Sequence, residues 1–180
     1  MKEFTHPAQM EMAPVDLNRA LRNTLIIARS EYKYVAELEI ELGEIPPVTC
    51  RVNDINQVVL NLVVNAAQAI GDVVKGTESK GTIRVQTRQD GDDVLISVAD
   101  TGGGIPPGLE SRIFEPFFTT KEVGKGTGQG LAIARSMVKE KHGGELTFQS
   151  AVGIGATFFV RLPIAGSQAR QQVENVAAEA

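Results

Sequence analysis

Asn61 and Asn65 lie four residues apart in the stretch Leu60-Asn61-Leu62-Val63-Val64-Asn65-Ala66-Ala67, among side chains suited to a core. That spacing puts both amides on one face of a helix. Neutral amide oxygens can complete the shell of a Mg²⁺ ion whose charge is balanced by phosphates. The pair also fits a helix face bonded to a neighbouring strand or loop. A second group, Asp100-Thr101-Gly102-Gly103-Gly104-Ile105-Pro106, follows an apolar run directly. A carboxylate at a strand end can accept from an exocyclic amine, and the N6 amine of adenine is a good donor. The glycines let backbone approach a flat ring. The alternative is a tight glycine turn with Asp100 as a surface cap. A third group, Gly124-Lys125-Gly126-Thr127-Gly128-Gln129-Gly130, runs straight into a helical stretch. Backbone N–H groups at a helix start bind anions, and Lys125 adds a point charge; a flexible linker is the other reading. The segment is neither a P-loop, which needs Gly-Lys-Ser/Thr, nor a Rossmann turn, which needs a surrounding βαβ unit. The fourth is Glu115-Pro116-Phe117-Phe118-Thr119-Thr120-Lys121. Its phenylalanines can anchor a lid and Lys121 can reach a phosphate, while Phe114 and Phe117 equally suit a small satellite core under the loop.

These groups need elements to hold them. Asp16 is placed to cap a helix in which Leu17, Leu21, Leu25 and Ile26 mark one apolar face through about Ser30. Tyr34 to Leu42 alternates apolar and polar, as a half-buried strand does. Asp54 to Val74 carries the strongest helical period, through Ile55, Val58, Val59, Leu62, Val63, Ala66, Ala69 and Ile70. Thr82–Thr87 and Val94–Ala99 read as strands joined by a turn over Asp90-Gly91-Asp92. Residues 100–130 are glycine-rich and long for a loop in a compact domain, which marks them as functional or disordered. Leu131 to Lys141 is a helix ended by Gly143-Gly144, and 145–149 with 156–162 make a closing pair of strands. The expected fold class is α/β (α+β): a two-layer sandwich whose mixed sheet of about five strands is covered on one face by three helices. Residues 1–13 read as a linker remnant, 14–165 as the domain with a lid at about 105–130, and 166–180 as a flexible tail.

Composition narrows the partners. The 180 residues are 42% hydrophobic and 22% charged, ordinary for one globular domain. A net charge of -4 argues against nucleic acid as a ligand, since binding to a phosphate backbone needs a basic face. It leaves room for one anionic nucleotide at a local positive site. No apolar run reaches the roughly 20 residues that span a bilayer, so no direct membrane contact is expected. The single cysteine, Cys50, allows no intrachain disulfide and fits a cytoplasmic, reducing setting.

Taken in order, the four groups resemble the boxes of sensor histidine kinases: NLVVNAA the N box, DTGGGIP the G1 box, EPFFTTK the F box and GKGTGQGLAIA the G2 box. The resemblance covers roughly residues 13–165 and implies the Bergerat ATP-binding fold, shared with DNA gyrase, heat-shock chaperones and mismatch-repair ATPases. It implies that Asn65 holds Mg²⁺ and that Asn61 assists near the phosphates. Asp100 would read adenine, with Gly102, Gly104 and Ile105 lining the ring. Lys121, Lys125, Gly126, Thr127, Gly128, Gly130 and Leu131 would take the rest of the ATP (or ADP). Thr157 would help to hold Asp100 and a water against adenine. Hydrolases of this superfamily place a glutamate four residues before the Mg²⁺ asparagine as general base. Here Asn61 stands there, and an amide takes no proton at neutral pH. The resemblance therefore implies a kinase that delivers the γ-phosphate to a histidine on a separate dimerisation hairpin. A response-regulator receiver domain would be the downstream partner of the complete protein, and the resemblance is compatible with a membrane anchor elsewhere in it. An ATPase switch and a serine-directed protein kinase are the alternatives. Three departures stand out: no hairpin is present, Gln68 replaces a frequent basic residue, and the closing strand reads Gly-Ala-Thr. His142, before Gly143-Gly144, is expected to be structural.

Overall fold

The computed structural model describes residues 11–119 and 128–178. Its main sheet has five strands: β2 (Ala36–Leu42), β4 (Gly81–Asp90), β5 (Asp93–Asp100), β6 (Glu145–Ala151) and β7 (Gly155–Pro163), in the order β2-β4-β5-β7-β6. Only β2 and β4 run parallel; the other pairs are antiparallel. This is the mixed five-stranded sheet expected from the sequence. Gly91, at φ 63, turns β4 into β5. Two further short strands, β1 (Ala13–Val15) and β3 (Val48–Cys50), pair antiparallel in a separate sheet. They were not legible in the sequence, because three residues are too few for an alternation to show.

Helices cover one face, as expected. In α1 (Leu17–Ile27) the Asp16 side chain accepts from the Arg19 N–H at 3.1 Å, and Leu17, Leu21 and Leu25 are buried. A short α2 (Arg29–Tyr32) follows. The long α3 (Val52–Val74) buries Ile55, Val58, Val59, Leu62, Val63, Ala66, Ala67 and Ile70 against the sheet and α1. It is long and apolar enough to cross a bilayer, yet that apolar stripe is the core of this fold. Beside it lies α4 (Gly130–Ser136), with Ala134 buried. The helix expected over 131–141 does not stay regular: Met137–Lys141 winds as a π-helical turn. The wider turn sets His142 Nδ1 at 2.7 Å from the Met137 carbonyl oxygen, while the Arg51 N–H donates to Nε2 at 3.1 Å. Nδ1 therefore carries the proton. His142, 2% exposed, locks the end of this helix to the start of α3 and is structural. In the expected tail, Ser167–Ala178 forms a helix, α5. Cys50 is buried and its thiol is pushed up to about 11 by burial and by the charge of Asp54, so it is held as an inert thiol.

Candidate functional site

Strand alternation explains why a carboxylate faces the core. Val94, Ile96 and Val98 point under the helices, and the period of two carries Asp100 onto the same face. The strand ends there, and the row opens into a cavity of about 720 Å³ between α3, the glycine loop and the start of α4. Asp100 is 8% exposed. The Gly102 N–H donates to its Oδ1 at 2.8 Å. Burial pushes the carboxyl above its ordinary value, against the pull of the Gly102 and Ala156 N–H groups. A carboxylate held in so dry a place favours a donor brought by a ligand.

The glycines fit by steric necessity. A Cβ on Gly102 would sit 2.7 Å from the Ala69 Cβ and 2.9 Å from Asp100 Oδ1. Gly104 has φ +74, and a Cβ there would meet the Ala151 carbonyl oxygen at 2.5 Å. The first lets the loop lie on α3 beside the carboxylate; the second lets it lie on the end of β6.

The α3 wall follows helical spacing. Asn61, Asn65, Gln68, Ala69 and Asp72 all line the cavity, as positions three to four apart must. The two asparagines differ in their bonding. Gln57 Nε2 donates to Asn61 Oδ1 at 2.7 Å, and Asn61 Nδ2 donates to the Gly130 carbonyl oxygen at 3.1 Å. Asn61 thereby ties the first residue of α4 to α3. Asn65 makes no side-chain hydrogen bond with the described residues, so its amide oxygen is available to a cation. That donor chemistry fits Mg²⁺, a hard ion that takes oxygen ligands.

Asp100, Gly104, Ile105, Gly128, Gly130 and Leu131 also line the cavity, so most of the expected residues converge. Gly102 orients the carboxylate from behind it. Thr157 is a correction. It pairs with Ala99 and Gln149 on the opposite face of the sheet, while Ala156 and Phe158 line the cavity. The side-chain period of two excludes neighbours from sharing a face, and Ala156 is the residue opposite Asp100. Lys121, Lys125, Gly126 and Thr127 lie outside the described residues. Of the phenylalanines, Phe114 joins Phe148 and Phe158 at ring-centroid distances of 5.9 and 6.5 Å, the satellite core weighed above. Phe118 lines the cavity, whereas Phe117 is 72% exposed at φ 63. Sequence reasoning missed Asp72, Val73, Leu109 and Ile113. Asp72 was within reach, since it continues the face of Asn61 and Asn65 by two turns. At about 1.5 Å rise per residue it stands roughly 10 Å along the axis from Asn65, so it supplies no base at the asparagine end.

The arrangement offers a flat apolar slot floored by a buried acceptor at one end. At the other end are amide groups and the backbone at the start of α4. The family described as histidine kinase-, DNA gyrase B-, and HSP90-like ATPase matches residues 50–166. The signal transduction histidine-protein kinase AtoS of Escherichia coli (strain K12) is 36% identical over 168 residues, which are 90% of this chain and 26% of AtoS. Sensor kinase CckA of Brucella abortus (strain 2308) is 37% identical over 170 residues, which are 89% of this chain and 18% of CckA. The chain thus spans a minor part of these curated relatives. Among solved structures, the nucleotide-free catalytic domain of histidine kinase ThkA is 30% identical with a TM-score of 0.73, over 87% of this chain and 97% of that one. Full-length ShkA in complex with AMPPNP is 30% identical with a TM-score of 0.72, over 87% of this chain and 32% of that one.

Proposed function

Because the chain belongs to the family of histidine kinase-, DNA gyrase B- and HSP90-like ATPases, and within it to the histidine-kinase catalytic domains, we propose that it binds Mg-ATP and presents the γ-phosphate to a histidine on a separate dimerisation hairpin. The observation that carries this reading is the buried Asp100 carboxylate on the floor of a cavity whose other wall holds Asn61 and Asn65. Asp100 accepts from the adenine amine, and Ile105, Ala69 and Val73 sandwich the ring. Gly128, Gly130 and Leu131 run beside the phosphates, with Lys121, Lys125, Gly126 and Thr127 as further contacts. Asn65 contributes an oxygen to Mg²⁺, which when bound neutralises charge on the phosphate oxygens. Asn61 holds the start of α4 in place.

The cavity's described lining contains two carboxylates, Asp72 and Asp100, and neither lies at the asparagine end. Among the described residues nothing at that end draws a proton from water, which supports transfer over hydrolysis. In the transfer, a histidine nitrogen bonds to the γ-phosphorus as the bond to the β–γ bridging oxygen breaks, and ADP leaves. A response-regulator receiver domain then takes the phosphoryl group; ThkA has been solved in complex with the response regulator TrrA.

The test is phosphate release from saturating Mg-ATP by this chain alone. Bound nucleotide with almost no release is expected. Steady multiple turnover that disappears in Asn65→Ala would return the reading to an ATPase switch.

A further inference from the structure

Ser150, Ala156, Asp100 and Ile83 form one row across the sheet, each paired with the next. Residues directly opposite on paired strands share a face, so the Ser150 hydroxyl and the Asp100 carboxylate leave the sheet on the same side with only an alanine between them. Each takes one N–H of the glycine loop. Gly102 donates to Asp100 Oδ1 at 2.8 Å, and Ile105 donates to Ser150 Oγ at 2.7 Å. The Ser150 hydroxyl in turn donates to the Gly155 carbonyl oxygen at 3.4 Å. Between the two clamps the Gly153 N–H donates to the Gly103 carbonyl oxygen at 2.9 Å. The loop is therefore fixed at its entry, middle and exit. At the exit the Ile105 N–H turns toward β6 while Ile105 lines the cavity. Ser150 itself is not among the lining residues.

We propose that Ser150 is a positioning residue for the nucleotide base: by accepting the Ile105 N–H it sets the spacing between the Gly104–Ile105 wall and the Asp100 acceptor. This rests on the reading of the cavity as an adenine site. The hydroxyl does not touch the base; it acts through Ile105. Without it the loop stays tethered at Asp100 and loses its far anchor, so base and carboxylate no longer meet in register.

The test is calorimetric binding of ADP to the 180-residue chain as wild type, Ser150→Ala, Ser150→Thr, Asp100→Asn and the Ser150→Ala/Asp100→Asn pair. An orphaned N–H justifies a loss of about tenfold in ADP affinity for Ser150→Ala. Ser150→Thr keeps the hydroxyl on a strand that suits β-branched residues, and should return the affinity to within about threefold. In the Asp100→Asn background Ser150→Ala should cost less than about threefold, because residues serving one contact are not additive. A serine that only stabilises the strand would lower the thermal midpoint and leave both affinities unmoved. Unchanged affinity in Ser150→Ala, or an equal loss in both backgrounds, overturns the inference. Wild-type chain that binds no ADP overturns the nucleotide reading itself. Hydrogen exchange in the wild-type chain gives an arm that does not depend on the fold of any variant. A protected Ile105 amide before ADP is added supports the clamp, and exchange as fast as open loop amides overturns it.

Discussion

Replacing Asp100 with asparagine should separate two effects that the carboxylate combines. The first is electrostatic. Burial raises the folded carboxyl above its ordinary value of 3.8, and the Gly102 and Ala156 N–H groups offset this only in part. Between 3.8 and the raised folded value the native state therefore holds more protons than the unfolded chain. Stability must fall as pH rises through that window, and the loss is complete once the pH lies above the raised folded value. Asp100→Asn removes the titration, so the stability of the variant relative to wild type should climb as pH rises from the ordinary carboxyl value through the raised folded one. The second effect is on the ligand. The Gly102 N–H already claims Oδ1 at 2.8 Å. In Asp100→Asn the single amide oxygen stays with Gly102, and the NH₂ group turns to the cavity. A charge-assisted acceptor worth about 1.5–3 kcal/mol is replaced by a donor facing the adenine amine. A loss of roughly 2–4 kcal/mol, about 30- to 1000-fold in ADP affinity, follows. Urea unfolding across this pH range and calorimetric titration with ADP measure the two effects separately. A stability difference that is flat or falls with pH would refute the burial argument. ADP affinity within about threefold of wild type would refute the hydrogen-bond argument.

Further outcomes follow from the same geometry. Gly104→Ala combines φ +74 with a Cβ at 2.5 Å from the Ala151 carbonyl oxygen; it should cost about 2 kcal/mol or more in urea unfolding. Gly130→Ala, whose nearest neighbours would be Asn61 atoms at 3.9 Å, should change stability by less than about 1 kcal/mol, toward stabilisation. His142→Ala removes two hydrogen bonds and a buried ring, so unfolding should become easier by about 2–4 kcal/mol without an effect on ADP affinity beyond the folded fraction. Asn65→Ala should leave stability within about 0.5 kcal/mol, because its side chain has no partner among the described residues. The same variant should abolish the Mg²⁺ dependence of ATP binding; unaltered Mg²⁺ dependence would remove Asn65 as the cation ligand.

The elements that carry long apolar periods were legible from residue order. The 23-residue α3 repeats its apolar positions through six turns, and β4 alternates from Ile83 to Arg88. Local composition was enough, because burial on one face writes itself into the sequence at 3.6 or 2 residues. Short or irregular pieces left no such record. β1 and β3 have three residues each, and α5 has twelve, with no buried residue among its described side chains. The π-helical turn leads into His142, whose ring accepts from the Arg51 N–H, 91 residues away in the chain.

The candidate site divides along the same line. Residue identity alone determined the chemistry available: a carboxylate among glycines, two amides on one helix face, and no acid at Asn61. Tertiary structure decided which groups meet. It showed Asn61 occupied by Gln57 and Gly130 and Asn65 open to the cavity, though the two are one turn apart. It exchanged Thr157 for Ala156 opposite Asp100, a matter of strand register that no local pattern encodes. It also brought Ser150 to Ile105 across 45 residues. Sequence spacing sets which side chains share a face, while only the pairing of distant strands and helices sets what that face meets.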